Sequence, residues 1–282
     1  MVTAIYLALA AFTAYYAVVF VSSLRGVRPM LSHVITGLVT NFFDALGIGS
    51  FATTTAIFKF RAMTPDHLIP GTLNAGHTLP TILQAFIYIT AIQVEAATLV
   101  PMIAGAAAGA WFGAAAVAGL SRRAVQLGVG GALLFAAAVL IMRQFDLFPA
   151  GGDALSLSGW RLLTAVLGNL AFGAISTLGI GFYAPCMTMV SLLGMNPAAA
   201  FPIMMGSSAF LMPVASAQFV KRNAFSAPVA YGLAAGCLAG VPLAAFLVKS
   251  LPLQDLRWLV IVVVLYAAAL MLRPGEEKGG AK

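Results

Sequence analysis

Charge is what this sequence has least of: 8% of its 282 residues are Asp, Glu, Lys or Arg, where a soluble domain carries about a quarter. So few charges cannot clothe a water-facing surface, and 61% hydrophobic residues with a mean hydropathy of +1.00 point the same way. The chain reads as an integral membrane protein, all-α and polytopic. Apolar stretches of roughly 20 residues follow one another almost to the end, which leaves no segment for a soluble domain. Cysteine is nearly missing as well. Cys186 and Cys237 both sit inside apolar segments, which excludes a disulfide framework and leaves no metal-ligand spacing such as C-x-x-C. Enzyme signatures are lacking too: no H-E-x-x-H, no G-x-S-x-G, no Walker loop and no paired carboxylates beside a base. Neither catalysis nor a cofactor or metal is expected. The net charge of +7 does not indicate nucleic acid, because Lys and Arg fall in short clusters between apolar stretches, as in loops held on the cytoplasmic side of a membrane.

The apolar stretches run roughly over 2–23, 31–60, 67–92, 98–119, 124–142, 160–194, 197–219, 227–248 and 256–272. Met1 to Leu24 lacks a positive n-region and precedes Arg25 and Arg28, so it reads as a first spanning helix rather than a signal peptide. Stretches 31–60 and 160–194 are the misfits. At about 1.5 Å per residue they overshoot a core of about 30 Å, yet neither can hold two spans. Each contains a Gly-Ile-Gly near its middle, Gly47-Ile48-Gly49 and Gly179-Ile180-Gly181. Two glycines around a β-branched residue make a break point.

The two breaks belong to a duplication. Gly47 to Gly179 is a step of 132 (179 − 47), and the same step carries Ala52 to Ala184, Met63 to Met195, Pro65 to Pro197 and Pro70 to Pro202. A second echo, Pro101 with Gly105, Gly109 and Gly113, returns as Pro228 with Gly232, Gly236 and Gly240, a step of 127 (228 − 101). Glycine at every fourth position lines one helix face and lets a neighbouring backbone come close. The expected units are repeat 1 over 1–123, repeat 2 over 124–248, and an extra C-terminal helix with a short tail over 249–282. If both broken segments are re-entrant, Arg25, Arg28, Lys59, Arg61, Arg122, Arg123, Lys221, Arg222, Arg273, Lys278 and Lys282 lie inside, 11 of the 15 Lys and Arg. Arg143, Arg161, Lys249 and Arg257 lie outside. If both cross, the best count falls to 9 against 6. The positive-inside rule favours the first arrangement: about seven transmembrane helices, two re-entrant hairpins and two inverted repeats, with the N-terminus outside and the C-terminus cytoplasmic.

Where each hairpin turns, the second half-helix starts with backbone N–H groups that have no intrahelical partner, and an anion is their natural guest. The expected site lies where the two breaks meet. Its substrate-binding candidates are Asn41, Gly47, Gly49, Ser50, Thr53, Asn74, His77, Gly179, Gly181, Tyr183 and Ser207. Single hydroxyls are more often satisfied by their own backbone. Asn74 and His77 weigh more, three apart on one helix face at a depth where polar side chains are costly. His77 has three open roles: hydrogen-bonding an oxyanion, carrying a coupled proton, or bridging two helices. Asp44 is the other proton-coupling candidate, with capping of the following turn as the competing role.

Taken together, Gly47-Ile-Gly49, Met63-Thr-Pro65 and Pro70-Gly71-Thr72-Leu-Asn74, with Gly179-Ile-Gly181, Met195-Asn-Pro197 and Pro202, resemble the TauE/SafE family of sulfite and organosulfonate exporters. The resemblance covers about 31 to 272. It departs at the break, where members commonly show a longer glycine run, and at His77. The resemblance implies a secondary transporter, usually outward-directed, of a small sulfur-containing anion such as sulfite, sulfoacetate or another organosulfonate. The expected place is the inner membrane of a prokaryotic cell, with alternating access as the mechanism. The rivals are an aquaporin-like channel for small solutes and a carrier of small carboxylates. Expected partners are the anion and the lipid bilayer, not nucleic acid; a coupling proton and a homodimer stay open.

Overall fold

The computed structural model describes residues 2–23, 26–45, 49–88, 94–147, 150–179, 181–247 and 253–273. Among them the chain is helical, without a named strand, in the order α1 (Val2–Ser22), α2 (Leu31–Ala45), α3 (Ser50–Arg61), α4 (Ile69–Tyr88), α5 (Ala96–Val117), α6 (Arg122–Gln144), α7 (Gly159–Ser176), α8 (Tyr183–Leu192), α9 (Ala200–Lys221), α10 (Ala227–Leu247) and α11 (Leu253–Leu272). Short 3₁₀ turns, Asp66–Leu68 and Pro197–Ala199, lead into α4 and α9. Among the described residues four helices are long and apolar enough to cross a membrane: Ala96–Val117, Arg122–Gln144, Pro197–Lys221 and Ala227–Ala244.

Both misfit stretches are broken. The first divides into α2 and α3, the second into α7 and α8, with one Gly-Ile-Gly in each interruption. Gly47 lies outside the described residues. Gly49 has φ +97° and Gly179 φ +104°, a conformation that side chains with a Cβ rarely adopt. α2 and α3 fold back as a hairpin, so that Thr36 near the start of α2 reaches the sulfur of Met63 just past α3 at 3.8 Å. α7 and α8 do the same: the segment before α7 pairs with the segment after α8 through Gly152 N–H to Met195 O at 3.0 Å and Asn196 N–H to Ala154 O at 2.8 Å.

The two hairpins open at opposite ends of the bundle. At one end Lys59 and Arg122 meet Asp66, Arg123 donates to the carbonyls of Leu272 and Arg273, and Thr72 accepts from Ser226 N–H at 2.9 Å. This basic end holds the mouth of the α2–α3 hairpin. At the other end Glu95 N–H reaches Leu155 O and Thr98 bonds to Leu157, beside the mouth of the α7–α8 hairpin.

The glycine stripes explain the tightest packing. A Cβ on Gly105, Gly109 or Gly113 of α5 would overlap the carbonyl oxygens of Val166, Leu170 and Ala174 of α7 in turn. On α10, Gly232, Gly236 and Gly240 press against His33, Val34 and Leu38 of α2 in the same way. Each stripe therefore seats the first arm of a hairpin, and the two stripes do it crosswise: α5 from the first half holds α7, and α10 from the second half holds α2. α4 and α9 pack against each other between these pairs, while α6 packs on α11. The α9 side chains are buried almost throughout.

At the basic end Asp66, in the turn before α4, clasps α3 and α6. Lys59 Nζ of α3 donates to its Oδ1 at 2.8 Å, Gln126 Nε2 of α6 donates to its Oδ2 at 2.8 Å, and Arg122 lies 3.7 Å away. Burial alone would raise its pKa, but the Lys59 and Gln126 hydrogen bonds and the two cations outweigh it and hold the carboxyl below its ordinary value.

Two outcomes follow from this packing. Gly109→Leu should abolish folded protein in size-exclusion analysis of detergent extracts, since the added atoms meet backbone, whereas Gly131→Ala, where nothing lies within 4 Å, should fold and gain up to about 1 kcal/mol of helix propensity. The lowered Asp66 pKa means that the clasp stabilises fully above the ordinary carboxylate value of about 4 and is lost as pH falls through the folded value. Melting curves from pH 7 to 3 should therefore show wild type losing its advantage over Asp66→Asn at the acid end; an advantage constant across that range would exclude the clasp.

Candidate functional site

The tip of the first hairpin is closed by its own side chain. Gly49, the residue before α3, has no side chain to cap the helix, and Asp44 at the end of α2 supplies the acceptor: Ser50 N–H donates to its Oδ1 at 2.8 Å. Gln84 of α4 donates to the other oxygen at 2.8 Å. Inside a bilayer an interrupted helix must satisfy its freed amides internally, and Asp44 takes one of them. Capping, the competing role for Asp44, is what this geometry contains.

The second tip is tied differently. Asn74 Nδ2 donates to Thr177 O at the end of α7 at 3.3 Å and to Pro70 O at 2.9 Å. Thus α4 grips both tips, through Gln84 and Asn74, ten residues apart (84 − 74) and so separated by about 15 Å along the helix. The two tips are therefore held at different depths along α4.

His77 is buried and not among the residues that line the central cavity. Its Nε2 lies 2.9 Å from Thr54 Oγ1 of α3 and its Nδ1 2.7 Å from Asn41 Oδ1 of α2. Asn41 Nδ2 in turn donates to Leu233 O of α10 at 3.2 Å. The imidazole joins both arms of the hairpin to α4, which is the bridging role. The other half has a counterpart: Asn169 Nδ2 of α7 donates to Met102 O of α5 at 3.1 Å and to Ser207 Oγ of α9 at 3.2 Å, and its Oδ1 accepts from Cys186 of α8 at 3.5 Å. Ser207 belongs to this cluster. Thr53 returns its hydroxyl to Gly49 O and Ser50 O.

Between the tips lies a cavity of about 130 Å³. Two interrupted helices begin on it, α3 with Ser50, Phe51 and Ala52, and α8 behind Gly181 and Phe182. Of the sequence-expected residues Asp44, Gly49, Ser50 and Gly181 line it. Asn41, Thr53, Asn74, His77, Gly179 and Ser207 do not, while Gly47 and the side chain of Tyr183 lie outside the described residues. Four further polar residues line it: Thr81 of α4, Arg143 of α6, Ser176 of α7 and Ser208 of α9. Ser208 is buried and its Oγ has no hydrogen-bond partner among the described residues. Phenylalanine and methionine form most of the remaining wall, with Phe135, Phe201, Met204 and Met212 among them.

The start of α8, an unengaged hydroxyl and a guanidinium around one small space suit an oxyanion, Asp44 already occupying the start of α3, and the apolar wall suits a carbon-bearing remainder. Sequence reasoning set Arg143 aside as a loop charge. The signal available was its place in the last turn of a helix that is apolar for the sixteen residues from Leu127 to Met142.

A family model described as sulfite exporter TauE/SafE matches residues 30–271. The chain belongs to the TauE/SafE family. No curated protein and no solved structure matches it. Membership makes it a multi-pass membrane transporter, in keeping with the apolar helices. Within this TauE/SafE protein the described residues carrying the resemblance divide by role: Gly49, Gly179 and Gly181 lie at the hairpin tips, Pro65 and Pro197 lead into or begin the short turns before α4 and α9, and Pro70 and Pro202 stand in the first turns of those helices.

His77→Ala should lower the melting temperature of the purified protein, because it strands Thr54 and Asn41 without their partner at a cost of about 1–3 kcal/mol for each buried group. Unchanged melting with lost transport would instead assign the imidazole to the ligand.

Proposed function

We propose that this protein is a secondary transporter that exports a small sulfur-containing anion, sulfoacetate or another short organosulfonate before sulfite, through the cavity between the hairpin tips. The observation that carries the proposal is the cavity's composition. Arg143, Ser208 and the start of α8 provide for an oxyanion, while the methionine and phenylalanine wall provides for a carbon chain that bare sulfite lacks. Asp44, Gly49, Ser50 and Gly181 complete the polar lining. Asn41, Asn74, His77 and Ser207 position the hairpins that carry it.

The mechanism we infer is alternating access between two inverted repeats. Opposite mouths of the two hairpins, the crosswise seating on glycine stripes and the matched clusters of Asn41 and Asn169 support inversion. The pairing of α6 with α11 supports five-helix units, α2–α6 and α7–α11, with α1 outside them, rather than a division at residue 123. On this reading α1, α4, α5, α6, α9, α10 and α11 cross, which is seven spans. The concentration of Lys and Arg at the mouth of the first hairpin supports a cytoplasmic basic end, hence an external N-terminus in a prokaryotic inner membrane.

The test is thermal stabilisation of the purified protein by sulfoacetate, sulfite, acetate and chloride at matched ionic strength, since a ligand of the folded state raises apparent stability by mass action. Sulfoacetate should stabilise most, and Arg143→Gln should weaken its apparent affinity about tenfold or more, the loss of a charged hydrogen bond. Equal affinity in the variant, or no discrimination among the anions, would overturn the assignment. Flux into proteoliposomes should saturate with substrate; a linear rate would favour a channel.

A further inference from the structure

A second polar cleft, of about 360 Å³, opens at the basic end where α3, the turn into α4 and the start of α6 converge. Four residues decide its chemistry: Lys59, Thr64, Asp66 and Arg122. Asp66 is the cleft's own anion, but both its oxygens are engaged, Oδ1 by Lys59 and Oδ2 by Gln126. Against it stand two cations, so the cleft keeps an excess of one positive charge. Lys59 has three donors, and one is directed at Asp66. Arg122 lies 3.7 Å from the carboxylate with its side chain 71% exposed, so most of its planar donor fork faces the cleft and water.

Two further observations point to a guest. Thr64 is 7% exposed, it lines the cleft, and its Oγ1 has no hydrogen-bond partner among the described residues. A buried hydroxyl without a partner costs about 1–3 kcal/mol. Then Arg122 and Arg123 occupy the first turn of α6, which contains no acidic residue. Cations at the positive pole of a helix are unfavourable. Arg123 is compensated by the carbonyls of Leu272 and Arg273 and by Gln126; Arg122 is left with one distant and shared carboxylate. An anion seated there would accept from Thr64, Lys59 and Arg122 and relieve the helix end at once.

We propose that this cleft is a second anion site, separate from the central cavity, that takes a phosphate-type oxyanion through Lys59, Thr64 and Arg122. Both a free phosphate and a phospholipid headgroup present that chemistry. Because the site joins α3 to α6, an occupant ties the first hairpin to the neighbouring helix pair.

The experiment uses the full-length protein in neutral detergent and reads thermal stability against added inorganic phosphate, and separately against short-chain phosphatidic acid with phosphatidylcholine as control. The expected result is saturable stabilisation by at least one phosphate source, with Arg122→Gln and Thr64→Val each weakening it about tenfold. Both variants should fold, since Arg122 is largely exposed and valine matches threonine in shape. Arg143→Gln should leave this response unchanged, which separates the site from the transport cavity. Stabilisation by inorganic phosphate identifies a free anion; stabilisation by phosphatidic acid alone identifies a lipid headgroup. No response to either, or a response that survives in both Arg122→Gln and Thr64→Val, overturns the proposal.

Discussion

A helix that stops halfway through an apolar bundle leaves amides and carbonyls that water cannot reach, and everything at the centre of this protein follows from how they are satisfied. At the first tip Asp44 folds over the break and takes the amide of Ser50, and Gln84 holds the carboxyl from the side. At the second tip Asn74 takes the carbonyl of Thr177. Both partners come from α4, so a single helix fixes the depth of both hairpins. Most of the polar face of α4 is thereby used for construction; it gives the cavity Thr81, whose hydroxyl donates to His77 O, and the other polar lining comes from α6, α7, α9 and the tips themselves.

Close packing supplies the second half of that constraint. Lipid tails offer no hydrophobic drive for one helix to leave them for another, so helices associate through fit and hydrogen bonds. The glycine stripes of α5 and α10 let the first arms of the hairpins approach to backbone contact. At that distance Asn169 and Asn41 can reach the carbonyls of Met102 and Leu233 across the interface. Fit comes first and the amide bonds depend on it, because a single Cβ in a stripe would push the carbonyl out of reach.

Features set by local spacing were legible in the sequence. The overlong stretches, the glycine breaks and the fourfold glycine periodicity each depend on residues near one another in the chain, and the structure contains the breaks and the close approaches they implied. What a side chain faces depends on helices far away in sequence, and local spacing carries no information about them. His77 and Asn74 share a helix face, which the spacing gave, but that face looks onto Thr54, Asn41 and Thr177, from three other elements. Ser207 and Ser208 are neighbours and point apart, one to Asn169 and one to the cavity. Arg143 could be seen as a charge at the end of a helix, yet only the return of α9 and the tips beside α6 makes it part of a cavity wall.

The two halves satisfy the same demand with unequal chemistry. Around Asn41 the third member is an imidazole with both nitrogens engaged, at 2.7 and 2.9 Å. Around Asn169 it is a serine at 3.2 Å and a thiol at 3.5 Å, and a thiol is a weak donor. At the tips the contrast repeats: α4 holds the first through a bond of 2.8 Å to a carboxyl and the second through one of 3.3 Å to a carbonyl. Shorter bonds to a better acceptor hold more firmly, so the first hairpin is the more strongly tethered of the pair. Displacing α7 and α8 against α4 and α9 breaks fewer strong contacts than displacing α2 and α3. With both tips bordering one cavity, the weaker tether lies on the side of Ser176 and Gly181, and a change in the cavity's shape meets the least resistance there.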